Sequence, residues 1–431
     1  MVDGAPGRLP VTRLLRPAWA EIDRGALGRA AAVLASVASP ARLCAVVKAD
    51  AYGHGAITVA EAVLAHGADR LAVATVEEGM ALREAGVVAP ILLLSEPPPE
   101  AMADAVAYAL TPTVYTAAGV RAVAAAAGPD SAERHAKAGA AARAFAAAAP
   151  LPAVAGAHGG STRRDGSVGV HLKVDTGMHR VGADVAELPA VARAAAAVDG
   201  AVVEGLWTHL AKADDPLEVG DPDRGFTAAQ LRCFDDARRR LAADGINPPI
   251  VHAANSAGAI AHPRARLSMV RCGIALYGYP PVPFAPDGAP ASGGGHEITP
   301  ALSLKARVAH VRRVGAGEGL SYGLLYTTHA PTQVAVIPLG YADGVPRRLS
   351  LAGGAVLIGG RRRPLAGVVT MDQLLVDCGP DNDVAVGDEV VLLGRQGGEM
   401  VDAEEWARLC GTISYEILCG IGPRVPRLSV G

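Results

Sequence analysis

No stretch of this 431-residue chain offers the roughly 18 uninterrupted apolar residues that a membrane-spanning helix needs. Its opening residues, "MVDGAPGRLPVTRLLRPAWAEID", also lack the apolar run of an export signal. The expectation is a chain that is neither anchored nor exported. The six cysteines (Cys44, Cys233, Cys272, Cys378, Cys410, Cys419) have no C-x-x-C spacing, and Cys44, Cys378 and Cys419 sit in apolar stretches. They read as reduced core thiols of a cytoplasmic protein. An excess of one charge is missing too: the net charge is −3 with both signs spread along the chain. No electrostatic footprint for nucleic acid or a membrane surface exists, and a small molecule is the expected partner. Metal-ligand spacing and G-x-x-x-x-G-K-[ST] are absent, and "GAGEG" (315–319) has no βαβ unit around it.

What the chain does have is apolar residues, half of the total, enough for the cores of two domains of ordinary size. After Leu43 short apolar runs alternate with amphipathic helical stretches, the pattern that builds parallel sheets. The candidate strands are 43–47, 70–74, 91–95, 109–113, 170–174, 202–207, 250–253 and 267–271. Eight strand–helix units closing on themselves predict an α/β fold of the (β/α)₈ barrel type. In such barrels reactive groups lie where strands end, and Lys48, Thr75, Ser95, Lys173, Asp175, His209, Asn255 with Ser256, and Arg271 all occupy such ends.

Two segments break the pattern. Residues 128–168, rich in alanine and glycine, predict a helix plus a surface insertion, and the Pro/Gly-rich 280–299 predicts a domain linker. Beyond it Leu302, Leu304, Ala306 and Val308 alternate, and short strands with glycine turns follow, so the C-terminal domain is expected to be mostly β. A helix with Asp402 as N-cap is expected before a last strand in "TISYEILCGIG" (412–422). The division is then an N-terminal arm over 1–20 that packs with the β domain, a barrel over 21–285 and a β domain over 286–431.

Lys48 ends the first run, in "AVVKADAYGHG". An amine at a partly dehydrated strand end loses its proton more readily and can attack an aldehyde, such as that of pyridoxal phosphate, to form a Schiff base. On its own it reads more readily as a surface lysine whose stem covers a strand end. A competing motif is "GLSYG" (319–323), which satisfies G-x-S-x-G and offers Ser321 as a hydrolase nucleophile, but the strand-to-helix elbow it requires is missing among β segments.

The strings decide between these readings. "RPAWAEID", "AVVKADAYGHG", "VATVEEGMALREAG", "HLKVDTGMHRVG", "GLWTHLAKAD", "HAANSAGAI", "VRCGIALYG", "LSYGLLY", "IPLGYADG" and "GVVTMDQLLVD" resemble, in order, the motifs of the pyridoxal-phosphate-dependent alanine racemases over nearly the whole chain. The resemblance implies that Lys48 holds pyridoxal 5′-phosphate as an aldimine and is one of two catalytic bases. Tyr322 would be the other, reaching in from the second subunit of a homodimer. Racemisation requires such a pair, because a proton leaves one face of the α-carbon and another arrives on the opposite face.

The same resemblance implies that Arg271 contacts the pyridine nitrogen and His209 packs beside the ring. Arg180 would meet the substrate carboxylate, supported by Lys173, a position that can be carbamylated in the family. The phosphate would be held by Tyr52, Ser256, the amides of Gly273 and Ile274, and Tyr415. Met371 and Asp372 would come from the partner subunit, the Met371 amide on the substrate carboxylate, and Tyr341 and Tyr326 would line a narrow entrance. The implied activity is interconversion of L- and D-alanine, which supplies D-alanine for peptidoglycan. Serine or another small amino acid is an alternative substrate, and a basic amino-acid decarboxylase is an alternative enzyme that uses the same cofactor. Three features depart from the family pattern: the long insertion, His179 in place of a glycine, and Thr370 in place of a cysteine.

Overall fold

The computed structural model describes residues 14–127, 167–219, 224–282 and 298–431, so most of the predicted arm, insertion and linker lies outside the described residues. The chain divides into two compact units. One comprises Gly25–Ala51 with Ala56–Thr299, and the other comprises Met1–Arg24, Tyr52–Gly55 and Pro300–Gly431.

The first unit is the barrel. Its strands are β2 (Arg42–Val46), β3 (Ala68–Val73), β4 (Ile91–Leu93), β5 (Thr113–Val114), β6 (Val168–Lys173), β7 (Ala201–Trp207), β8 (Ile250–His252) and β9 (Met269–Cys272), while β1 (Ala18–Asp23) belongs to the second unit. They form two four-stranded parallel sheets in the orders β4-β3-β2-β9 and β5-β6-β7-β8. Backbone bonds close both seams. Thr111 N donates to Ile91 O at 2.8 Å and Leu93 N to Thr111 O at 2.9 Å on one side. On the other, Ser268 N donates to Val251 O at 3.1 Å and Arg271 N to Ala254 O at 3.0 Å. Every residue of β6 is buried, as expected of a strand covered on both faces.

Helix Val76–Glu84 shows how the connections are set. Thr75 and Glu78 form a capping box at its start. Near its end the buried Arg83 donates to the carbonyls of Val87, Ala89, Tyr108 and Ala109, tying the approaches to β4 and β5 together.

The second unit is mostly β. β10 (Leu302–Arg307), β15 (Ala355–Ile358), β16 (Arg361–Pro364), β18 (Glu389–Gln396), β19 (Glu399–Val401) and β20 (Arg427–Val430) join β1 in one seven-stranded sheet. β1 runs antiparallel to β10 and parallel to β20, which binds the two ends of the described chain to the same sheet. The predicted alternation holds in β10, where Leu302, Leu304 and Ala306 are buried. β11 (His310–Val314), β14 (Thr332–Ile337) and β17 (Leu374–Asp377) form a three-stranded sheet, and β12 (Gly319–Leu320) pairs with β13 (Tyr326–Thr327).

Two expectations fail here. Asp402 does cap helix Ala403–Cys410, accepting from Glu405 N at 2.8 Å, but the following segment is a second helix, Ser414–Gly420, and not a strand. The αL Gly411 ends the first helix, and buried Ile417 and Leu418 lie three and four residues after the buried Ser414, a helical rather than an alternating spacing. Cys419 near the end of that helix is exposed, whereas Cys44 and Cys378 are buried as expected. No helix of the described residues is long and apolar enough to cross a membrane.

Candidate active site

The barrel unit gathers its charged groups around Arg271, which is buried near the end of β9. Its guanidinium meets four acceptors: His252 Nδ1 at 2.8 Å, Thr208 O at 2.8 Å, Ala253 O at 3.0 Å and His209 Nδ1 at 3.2 Å. Burial pulls its pKa down to about 10, which leaves it a cation at neutral pH. Because Arg271 has only N–H groups to offer, both histidines accept through Nδ1 and carry their proton on Nε2. His252 can then donate to His171 Nδ1, 2.9 Å away. Burial first, and Arg271 next, push the pKa values of His209 and His252 well below the ordinary histidine range, so both are neutral.

The indole of Trp207, on β7, is the floor of this cluster. It stacks on His252 with centroids 5.5 Å apart and planes 8° apart, and the Arg271 guanidinium carbon lies 4.5 Å from its ring centre. The Lys173 ammonium lies 4.1 Å from the same ring. Its pKa is lowered to about 7, by burial first and then by Arg271 and Arg180. A methyl group on Gly205 would sit 2.3 Å from the His171 ring, so only glycine leaves room for the histidine pair.

Lys173, Arg180 and His209 line one small crevice together with Asp175, Met178 and Thr208. Arg180 is exposed and follows a turn in which Asp175 Oδ1 accepts from Gly177 N at 2.8 Å and Met178 N at 2.9 Å. His179 in this turn has φ 55°, the left-handed region that a glycine enters without strain and a histidine tolerates better than most residues. A cavity of about 660 Å³ lined by Arg238, Asn247, Pro248 and Val251 contains none of these groups.

Lys48, half-buried, begins the turn Lys48–Gly53 just past β2. Four non-glycine residues in succession, Ala49 to Tyr52, have φ between 50° and 54°, a left-handed turn that L-residues adopt only under constraint. Glu78 supplies part of that constraint, accepting from Ala49 N at 2.6 Å while its other oxygen accepts from Ala74 N at 2.8 Å and Thr75 N at 3.2 Å. The buried Ser256 Oγ accepts from Gly273 N at 3.0 Å and Ala275 N at 3.4 Å, which brings two predicted phosphate positions together next to Ile274.

The second unit carries the other predicted residues. Tyr52 and Tyr415 have ring centroids 5.9 Å apart. Tyr322 is 75% exposed, and Met371 and Tyr341 are also exposed. Tyr326 is half-buried: its hydroxyl donates to Asp377 at 2.7 Å and its ring packs on Val314, Leu320, Val334 and Ala366. Ser321 Oγ donates to Val368 O at 2.8 Å, in a turn after β12, so the strand-to-helix elbow of a hydrolase is absent there.

Family models match both parts of the chain: the alanine racemase N-terminal domain over residues 22–281 and the alanine racemase C-terminal domain over 301–429. The chain belongs to the alanine racemase family. A family member from Symbiobacterium thermophilum is 45% identical over 422 residues, covering 97% of this chain and 98% of that protein. One from Beutenbergia cavernae is 41% identical over 424 residues, covering 96% of this chain and 98% of that protein. Among solved structures, alanine racemase from Bacillus anthracis with bound L-Ala-P matches with TM-score 0.80 at 33% identity, covering 97% of this chain and 96% of that one. Alanine racemase from Streptomyces coelicolor matches with TM-score 0.76 at 35% identity, covering 98% and 100%.

For this family member, the sequence reading missed the residues that hold the site up. His171, His252, Trp207 and Glu78 were not singled out. The available signal was a polar residue inside an otherwise apolar strand, as in "VGVHLK", where His171 and Lys173 are two apart and so share a face.

Proposed function

We propose that this chain interconverts L-alanine and D-alanine, with pyridoxal 5′-phosphate as cofactor and Lys48 and Tyr322 as the two bases of a homodimer whose sites are completed by the partner subunit. The division of labour goes with it: a cofactor barrel over 21–285, and a β domain over 286–431 with the N-terminal arm, offered to the partner. The product would serve cell-wall synthesis as D-alanine.

The residues present suit this cofactor. Lys48 offers an amine at a strand end. Ser256, Gly273 and Ile274, with the Tyr52 and Tyr415 phenols, offer hydroxyls and backbone N–H groups of the kind that hold a phosphate. When bound, pyridoxal 5′-phosphate supplies an aldehyde for the Lys48 amine and a conjugated ring that takes up the electron pair left by the departing α-proton.

The observation that carries the reading is Arg271, a buried cation fixed by four acceptors. Set against the ring nitrogen, it would oppose protonation there, weaken the ring as an electron sink and favour prompt return of a proton over other outcomes. A basic amino-acid decarboxylase would need a carboxylate at that point. In the racemisation, Lys48 Nζ takes or gives the α-proton on one face and Tyr322 Oη does so on the other, so each turnover leaves the pair with exchanged protons. Arg180 would orient the substrate carboxylate. The Lys173 amine, partly neutral near pH 7, can add carbon dioxide with loss of a proton and become an anion beside Arg180.

The test is pure L-alanine in deuterium oxide, followed by proton NMR and a chiral assay. Loss of the α-proton signal with formation of D-alanine is expected. Tyr322→Phe should slow exchange from one enantiomer far more than from the other. Equal loss from both would remove the two-base reading, and carbon dioxide release from lysine or ornithine would replace it with decarboxylation.

A further inference from the structure

We propose that Asp343 is a positioning residue for substrate binding, which aims the Met371 amide through a network confined to the β unit. This rests on the reading that Met371 meets the substrate carboxylate in the partner subunit's site.

Asp343 ends the short helical turn Tyr341–Asp343 and has no solvent exposure, 0%. Its carboxylate is fully engaged. Oδ1 accepts from Arg16 Nη1 at 2.8 Å and lies 3.4 Å from Arg424 Nε, and Oδ2 accepts from Gly340 N at 3.0 Å. The two arginines are themselves joined, Arg16 Nη2 donating to Arg424 O at 2.9 Å. Arg424 then reaches across to the loop of interest, donating from Nη2 to Asp372 Oδ1 at 2.7 Å. One buried carboxylate therefore ties the chain before β1, the 340–343 turn and the segment before β20 to the residue that follows Met371.

The backbone makes the same connection more directly. Tyr341 N donates to Thr370 O and Ala342 N to Met371 O, each at 3.0 Å. In a planar trans peptide the C=O and N–H point in opposite directions. Holding Thr370 C=O toward the turn therefore sends the N–H of Met371, in the same peptide unit, away from it. Met371 N has no acceptor among the described residues, and the residue is 52% exposed. The approach is close: a Cβ on Gly340 would lie 2.3 Å from both Thr370 O and Met371 O. Asp343 fixes the turn, and the turn fixes the direction of the donor.

The test compares Asp343→Asn, which keeps shape and removes charge, with the half-exposed Arg424→Gln, which leaves Asp343 paired to Arg16. Both should raise KM for alanine, the first on the order of tenfold as expected for one charge-assisted hydrogen bond, with kcat nearly unchanged. Hydrogen exchange at the Tyr341 and Ala342 amides should quicken in both; unchanged exchange overturns the proposal, even where Asp343→Asn alone fails to fold.

Subunit mixing separates this idea from the reading beneath it. Dimers of Lys48→Ala with Asp343→Asn contain one site built from a normal Lys48 and a normal Asp343, so the mixture should recover wild-type KM. Lys48→Ala with Tyr322→Phe is the control. Recovery in the control but not in the Asp343 mixture overturns the proposal alone. No recovery in either overturns the shared-site reading and the proposal with it.

Discussion

Arg271 and Lys173 both lie against the indole of Trp207, and burial first, then the repulsion of Arg271, lowers the lysine's pKa to about 7. The unfolded amine titrates near about 10.4, so between about pH 7 and 10 the unfolded chain holds more protons than the folded one. Stability should rise with pH across that window, and below it the full cost of a buried ammonium is present. Lys173→Met removes that cost. In buffer free of carbon dioxide, its melting temperature should exceed that of the unaltered protein below pH 7, and the two should converge by about pH 10. Parallel melting curves across the range would mean that the amine is not depressed.

At the scale of an element, the turn Lys48–Gly53 is the segment least explained by local preference. Four left-handed non-glycine residues are each disfavoured by about 1–2 kcal/mol, so the turn persists through what surrounds it. The Glu78 carboxylate both caps its own helix and accepts from Ala49 N. Replacing one oxygen by an amide in Glu78→Gln turns an acceptor into a donor facing backbone N–H groups. A loss of about 1–2 kcal/mol in urea unfolding is expected. Borohydride should also trap less pyridoxal phosphate on Lys48. Full trapping at normal stability would show that the turn holds without Glu78.

For the whole molecule, the β unit exposes Tyr322, Leu324, Leu325 and Met371 by 75%, 65%, 65% and 52%. Apolar groups clustered in two neighbouring loops are a poor match to water and a good match to a second copy of the chain. If the active species is a dimer with shared sites, specific activity should fall on dilution in step with the dimer fraction seen by sedimentation. Leu324→Asp should shift both curves to higher concentration. A monomer that racemises alanine at full rate would remove the shared-site reading.

The order of the eight barrel strands and the β domain after them were legible in the sequence. Buried parallel strands must be apolar runs, and a reactive group at a strand end interrupts such a run visibly. "TISYEILCGIG" was misread because a short apolar segment fits alternation and helical spacing almost equally, and only packing selects between them. Likewise, His252 and His171 behind Arg271, Glu78 on the Lys48 turn and Asp343 beneath Met371 follow from tertiary structure alone. Their partners lie 19 residues apart for Arg271 and His252, 29 for Glu78 and Ala49 and 327 for Asp343 and Arg16, separations that leave no periodic trace. A hydrogen bond between segments distant in sequence is fixed by how strands register and loops close, and the sequence determined which groups exist while the fold determined what each of them faces.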